Sequence, residues 1–438
     1  MAIPGSAMAR AILRLAGDAP RAFAWLDGGA QGRSFFGLEA DREIEVDSLA
    51  ALAAIEALWR AEPGYVWIGW ISYDLGVDAL LERPARAGSL PGLCFRRFRA
   101  AIEIEGERVV WHGEAAARGR LAAALAAAHA ASTREAQAEP CVWPFGHVSA
   151  AMSVETYTAA VAWVLEKIAA GETYQVNLSQ RLSARWLAEP CGAAALARAA
   201  ADAYSIVRAS TPASMGALLA AERAWILSNS PETLIDVRFG GGADGGDLAR
   251  TWPIKGTRPR ARGAAADAAA GAALLASVKD RAEHLMIVDL LRNDLGALAI
   301  PGSVSAPRTP TLVSLPTVHH LVSEVRCTLR PGWRLESLWR AIFPGGSITG
   351  APKRRTVELI EAVEGRTRGI YCGAIVALEP GGLRASIPIR TAMVDRGGLT
   401  LDCGGGVVAD SDPEEERLET LAKARAFDRG PDGRVRAG

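Results

Sequence analysis

The chain has 438 residues, half of them apolar, with 49 Lys plus Arg against 49 Asp plus Glu. That length is enough for a large core or two ordinary domains, and the composition is globular rather than disordered. A net charge of zero gives no electrostatic reason to expect nucleic acid or an anionic membrane as partner, but it leaves room for a small anion held by a few local cations.

In chain order, Tyr65 to Ile71 reads as a buried strand bounded by Pro63-Gly64. Ala100 to Trp111 alternates like two short edge strands around Glu105-Gly106. The Ala-rich stretch Ala115 to Ala131 is helical by propensity. Periodicity stops between Ser132 and Gly146, where Pro140 and Pro144 fall, so residues 1–131 are set apart as an N-terminal part, 132–149 as a linker and 150–430 as a second, denser part. There, Val154 to Ala170 is an amphipathic helix, and Tyr174 to Leu182, Trp225 to Asn229 and Leu234 to Phe239 are strands. Gly240 to Gly246 is a hairpin loop. Asp280 to Leu295, Arg334 to Phe343, Lys353 to Val363 and Pro413 to Phe427 are helices; Gly373 to Leu378 and Ser386 to Val394 are strands. Strands and helices mixed without a βαβ dinucleotide motif predict an α+β fold with helices packed outside sheets.

The cysteines Cys94, Cys141, Cys191, Cys327, Cys372 and Cys403 form no CxxC pair, which fits thiols in a reducing compartment better than disulfides or zinc. No apolar run approaches a membrane span of about 18 residues. Met1 to Gly17, broken by Pro4, Gly5, Arg10 and Arg14, is a poor leader. A cytoplasmic protein is expected.

Several segments offer chemistry. Asp280 and Glu283 stand at i and i+3 of one predicted helix, Glu416 and Glu419 at the same spacing of another, so each pair shares a helix face. Two such pairs can hold one hard cation such as Mg2+, although acids in a first helical turn also simply suit the macrodipole. Lys423 lies one turn beyond Glu419. In Pro253-Ile254-Lys255-Gly256-Thr257-Arg258-Pro259-Arg260 the prolines and glycine exclude a helix and put Lys255 on a stiff extended segment. Neighbouring cations, Arg258 and Arg260 among them, disfavour its ammonium form, and a neutral amine is a nucleophile; a solvated basic loop is the other reading. Phe343 to Lys353 (FPGGSITGAPK) and Cys403 to Gly406 are glycine-rich stretches whose N–H groups can cradle an anion or merely turn the chain. His319-His320 sits in an apolar stretch, where a core role competes with a catalytic one, and Glu232 after Ser230-Pro231 is equally open.

Taken together and in this order, the blocks GETYQVNLSQ (Gly171 to Gln180), SNSPE (Ser228 to Glu232), PIKGTRPR (Pro253 to Arg260) and EHLMIVDLLRNDLG (Glu283 to Gly296) resemble the chorismate-utilizing enzymes. So do HLVSEV (His320 to Val325), FPGGSITGAPK, RGIYCGAI (Arg368 to Ile375), IPIRTA (Ile387 to Ala392) and GGGVVADSDPEEE (Gly404 to Glu416). The resemblance covers most of residues 150–427 and is diffuse before that. It implies one α+β domain of two antiparallel-rich sheets packed face to face, helices outside, and a site in a cleft.

The resemblance also implies roles. Glu283 and Glu419 match Mg2+ ligands, with Glu416 and Asp280 as the outer or water-linked pair; the family usually has Glu at the Asp280 position. Thr349, Tyr371, Arg390, Lys423 and the amides of Gly404, Gly405 and Gly406 match positions that bind the substrate's carboxylates or ring. His320 matches a residue that contacts the ring and is a base in the anthranilate branch. PIKGT, with Lys255 where anthranilate synthases have PIAGT, is similar to the aminodeoxychorismate-forming branch, in which the lysine attacks ring carbon 2 and Glu232 protonates the departing hydroxyl. Gln175 stands where isochorismate-forming relatives carry a water-activating lysine, so water addition is not expected. An anthranilate synthase component I is the alternative. No GxCxG nucleophile elbow is found, so a separate glutamine amidotransferase is the expected ammonia source, for a product feeding para-aminobenzoate and folate. Related enzymes bind tryptophan in an N-terminal pocket marked by an LLES-like segment; the nearest stretch here is Ala24 to Gly28, and feedback by tryptophan is not expected.

Overall fold

Val66–Ile71 is buried at every position. It does not alternate because both faces are covered: Trp67 and Ile71 enter a core beneath helices, while Val66, Ile68 and Trp70 enter one shared with a second sheet. A strand covered on both faces reads as a continuous apolar run. This pattern explains the architecture, which a computed structural model describes for residues 5–17, 22–29, 32–134, 141–242, 245–315, 318–430 and 432–435.

An eleven-stranded and an eight-stranded sheet, antiparallel throughout their recorded pairings, lie face to face. Their shared layer contains Ala24, Phe35, Ala217, Leu219 and Ile226 from the first and Ile68, Trp70, Cys94, Phe98 and Ile375 from the second. Helices cover the outer faces: Ala51–Ala61, Val278–Gly296 and Leu335–Ile342 supply the core on the eight-stranded side, and Gly5–Leu15, Ala115–Arg134 and Ala193–Ser210 that on the other. The expected α+β sandwich is the observed one.

Strands from both sides of the expected linker share each sheet, an early block meeting a late block at one junction. Ala24–Asp27 pairs with Met215–Ala220, and Val66–Ile71 with Ala374–Glu379. Within 132–149, residues 135–140 lie outside the described ones; the helix begun at Ala115 runs to Arg134, and Trp143 and Phe145 are fully buried.

Three local readings change. A third, three-stranded sheet holds Ile254–Pro259, Val318–Val322 and Thr311–Ser314. The single strand expected from Ser386 to Val394 is two: Gly382–Ser386 belongs to the eight-stranded sheet and Thr391–Asp395 to the eleven-stranded one. Between them Pro388 gives up its N–H and Arg390 adopts φ 50°, so the chain crosses from sheet to sheet. Helices Ala193–Ser210 and Ala264–Ala276 rest on alanine propensity and carried no punctuation.

Candidate active site

The glycines at 404–406 are not a turn. They lie within the strand Gly398–Val407, paired residue for residue with Gln175–Ala184: Gly404 with Ser179, Gly405 with Leu178, Gly406 with Asn177. The strand's other neighbour, Thr391–Asp395, is paired only as far as Leu401, so the glycine stretch keeps one open edge. What the glycines provide is room. A Cβ on Gly404 would lie 2.9 Å from the Tyr371 hydroxyl, and one on Gly405 2.7 Å from Glu416 Oε2. One on Gly406 would lie 3.1 Å from Gln175 Nε2 and 3.4 Å from Lys255 Nζ. Side chains from four separate segments therefore converge on this one bare stretch of backbone.

Lys255 arrives on Ile254–Pro259, extended as expected, with a register irregularity between Lys255 and Thr257 where Gly256 takes φ 73°. The residue is half-buried and its amine pKa is lowered, first by burial and then by Lys423, against the pull of Glu232, Glu283 and Glu419. The physical cause differs from the one the sequence offered. Arg258 is paired with Asp280 at 2.7 Å and Arg260 with Asp267. Desolvation, not these arginines, favours the neutral amine.

Glu232 is buried; Ser347 donates to its Oε1 at 2.6 Å. Burial raises its pKa, with Ser347, Lys255, Lys423 and Arg390 opposing. A carboxyl whose pKa is raised and an amine whose pKa is lowered are the opposite shifts expected of a general acid and a nucleophile. His320 is buried with Nδ1 2.9 Å from Thr257 Oγ1, and burial together with Arg390 lowers its pKa. His319 instead bridges Ser314 and Asp267, a structural role.

The anion-binding candidates divide. Arg390 is half-buried and its guanidinium has no hydrogen bond or ion pair among the described residues; burial lowers its pKa. Lys423 is engaged, donating to Gly404 O at 2.8 Å and pairing with Glu419 at 2.6 Å. Thr349 is fully buried and its hydroxyl donates to Gly345 O. Tyr371 is buried beside Gly404. Lys353, which the glycine-rich segment offered as an anion ligand, is paired with Asp294 at 2.6 Å.

The acidic helices Val278–Gly296 and Pro413–Ala424 bring Glu283, Glu416 and Glu419 into one field. Burial raises the pKa of Glu416 and of Glu283, and Glu419 raises both further. In Glu419 burial works the same way, but Lys423 outweighs it and holds the carboxyl below its ordinary range. Glu416 Oε1 accepts from Ser411 at 2.6 Å, while its buried Oε2 has no partner among the described residues. Asp280 is held by Arg258. The oxygens stand in an open arrangement: among the described residues the one tight three-ligand group is Glu43, Glu45 and Cys94, at the edge of the eight-stranded sheet. An orphaned buried carboxylate oxygen and hard-oxygen donors that repel one another nonetheless fit a divalent cation such as Mg2+.

Gln175, which the resemblance singled out, is fully buried, and neither of its amide atoms has a partner among the described residues. Sequence reasoning missed two supports. Arg368, buried, binds Glu364 through two nitrogens at 2.7 and 3.0 Å and donates to Asn177 O and Ile348 O. Glu364 in turn accepts from the Ser179 N–H and hydroxyl, which ties the strand beneath the glycines to the Gly346–Ile348 turn. Neither residue has a signal in spacing. Between the two sheets, beside Leu26 and Asp27, a cavity of about 20 Å³ has room for one water and none for an amino acid.

The family description "chorismate binding enzyme" matches residues 13–429. Aminodeoxychorismate synthase component 1 of Salmonella typhimurium is 36% identical over 366 residues, spanning 81% of this chain and 74% of that protein. Anthranilate synthase component 1 1 of Haloarcula marismortui is 35% identical over 432 residues, spanning 91% and 85%. The crystal structure of anthranilate synthase component I from Streptococcus pneumoniae TIGR4 superposes with a TM-score of 0.73 at 24% identity, covering 92% of this chain and 94% of that one, and so shares its fold.

Proposed function

The chain belongs to the chorismate binding enzyme family, and we propose that it aminates chorismate to 4-amino-4-deoxychorismate, using Lys255 as a covalent nucleophile. One observation carries this reading: a lysine amine beside Gly406, its pKa lowered by burial, shares its surroundings with the buried Glu232, whose pKa burial raises. Relatives named aminodeoxychorismate synthase component 1 support it. Anthranilate synthases also match, and the lysine in PIKGT favours the first branch.

The substrate's carboxylates are assigned to the unpaired Arg390 and to the open edge of the glycine strand, with Tyr371 and Thr349 walling the ring and His320 against it. Lys255, as the neutral amine, attacks ring carbon 2; both conjugated double bonds of the ring shift and the carbon 4 hydroxyl leaves as water with the proton of Glu232. Ammonia then adds at carbon 4, both double bonds shift back and Lys255 departs as an amine. The new ammonium returns a proton to Glu232, so chorismate plus ammonia gives product plus water. Gln175 is an amide with no basic lone pair on nitrogen, which leaves no group at that position to activate water.

Glu283, Glu416 and Glu419 would hold Mg2+, with Asp280 behind them through Arg258; the bound ion supplies charge neutralisation to a substrate carboxylate. Ammonia is assigned to a separate glutamine amidotransferase, in keeping with "component 1" in the relatives' names, and the product to para-aminobenzoate and folate synthesis. Among the described residues no helix is long and apolar enough to cross a membrane, which is consistent with a cytoplasmic setting.

The test is incubation with chorismate, Mg2+ and ammonium, followed by intact-protein mass spectrometry. A chorismate-derived adduct on the wild type that is absent from Lys255→Ala, together with a non-fluorescent amino product, is expected. Anthranilate fluorescence from the wild type would refute the reading.

A further inference from the structure

On the side of helix Val278–Gly296 away from the cleft, a groove of about 340 Å³ lies within the ~300–1,000 Å³ range of small-molecule sites. Its apolar wall is Val278, Leu285, Val288, Pro307 and Pro310. Val278 and Leu285, about two turns apart on one face of the helix, are 82% and 51% exposed. Arg281 and Arg308 also line the groove, and neither side chain has a partner among the described residues. The helix N-terminus adds its partial positive charge at the same end.

The independent pointer to a ligand is His284. It is 2% exposed and lines the groove; Nε2 is 2.8 Å from Ser323 Oγ, and its buried Nδ1 has no partner among the described residues. A buried polar atom without a partner is costly enough to require an explanation. Aspartate or glutamate does not line this groove, so nothing there neutralises the two guanidiniums.

We propose that this groove is a second anion site, separate from the cleft, that binds a small carboxylic acid with a flat apolar body. The carboxylate sits between Arg281 and Arg308 and accepts from His284 Nδ1–H, which places the Ser323 hydroxyl as donor to Nε2; the apolar body lies on Leu285, Val288 and Pro310. The site adjoins the lysine segment: the Ser323 N–H donates to Pro253 O at 3.4 Å, two residues before Lys255. Occupancy is therefore transmitted to the amine through one hydrogen bond.

Calorimetric titration of benzoate into the full chain tests the site. Saturable binding is expected in the wild type and in Arg390→Ala, where the cleft's own arginine is gone. A loss of tenfold or more in affinity is expected in Arg281→Ala/Arg308→Ala and again in Leu285→Glu, an exposed position that keeps the fold. Inorganic phosphate, which has charge but no apolar body, is expected to bind at least tenfold more weakly than benzoate. No binding, binding lost in Arg390→Ala, or unchanged affinity in the double variant each overturns the site. The readout needs no turnover, so it stands apart from the proposed amination. With turnover established, benzoate is expected to alter the rate of the wild type and not of the double variant; binding without any change in rate overturns the coupling to Lys255.

Discussion

The Ser347 hydroxyl donates to Glu232 Oε1 at 2.6 Å, the one hydrogen bond to that buried carboxyl among the described residues. It is a brake on the proton: burial raises the pKa and Ser347 lowers it. The working state needs Glu232 protonated and Lys255 neutral, so activity climbs as pH rises through a Lys255 pKa below its ordinary 10.5. It falls as pH rises through a Glu232 pKa above its ordinary 4.5. Ser347→Ala removes the brake. A hydrogen bond to a charged group is worth about 1.5–3 kcal/mol, or about one to two pKa units. The alkaline limb of the kcat profile is expected to move up by that amount in the variant, while Glu232→Gln loses about 10²–10⁴-fold in rate across the range. A limb that stays in place in Ser347→Ala contradicts the acid role.

The glycines at 404 and 406 face different neighbours, and alanine should separate their roles. At Gly404 the added carbon meets Leu178 O at 2.5 Å, a backbone atom of the paired strand that cannot retreat. Gly404→Ala is expected to cost about 1–3 kcal/mol of stability, as overpacking does, read by denaturant midpoint. At Gly406 the carbon meets only the ends of Gln175 and Lys255. Gly406→Ala is expected to keep its midpoint within about 0.5 kcal/mol and lose turnover. Equal destabilisation by both changes would mean that the lysine is not where the reaction needs it.

Glu416 bears on the metal. Its folded pKa is raised, so its contribution to stability is fully present below the unfolded carboxyl value and is lost as pH rises through the folded one. Without a cation, Glu416→Gln is therefore expected to raise Tm at neutral pH relative to the wild type, by the equivalent of about 1 kcal/mol, the low end for an unsatisfied polar group that is only partly buried. Mg2+ at 100 times its Kd stabilises by about 2.7 kcal/mol. That rise is expected in the wild type and absent from Glu416→Gln. Equal Mg2+ responses in the two proteins would remove Glu416 from the ligand set.

Arg368 and Glu364 are both almost fully buried, at 1% and 0% side-chain exposure. Removing one member of such a pair leaves an uncompensated charge, so Arg368→Ala is expected to cost about 3–5 kcal/mol. Arg368→Met with Glu364→Leu is expected to cost less than either single change. Chemical denaturation of the three variants checks the order, and a double variant worse than the sum would mean that the pair's bonds to Asn177 and Ile348 matter more than its charge.

The sequence showed the site's reactive groups and not what holds them. Lys255, Glu232 and the two acid pairs sit in motifs whose residue types announce chemistry, and glycine at 404–406 announced close approach, although a strand rather than a turn produced it. Ile387 to Arg390 alternates like a strand, yet Pro388 and the positive φ of Arg390 turn it into a crossover; a left-handed arginine leaves no trace in hydropathy. Ser347 and Ser323 went unremarked for a different reason: a hydroxyl carries no periodic signal, and its importance comes from a partner many positions away; Gln175 stood out only through the resemblance. The sandwich was legible only through the family resemblance; an apolar run such as Val66–Ile71 by itself reports burial on two faces and not which layers supply it. The third sheet was not, since its strand Thr311–Ser314 is largely exposed.

The pairing of an early strand with a late one in each sheet has a consequence for how the gene can be cut. Ala24–Asp27 is hydrogen-bonded on one side to Met215–Ala220 and on the other to Arg33–Gly37, and Val66–Ile71 stands between Ala374–Glu379 and Leu93–Phe98. Truncation before residue 150 would therefore strip a neighbour from each sheet at once and leave two raw edges lined with apolar side chains, a template for intermolecular pairing. The reactive half is not a module that can be moved; a shortened gene encoding it alone should yield inclusion bodies rather than a smaller enzyme.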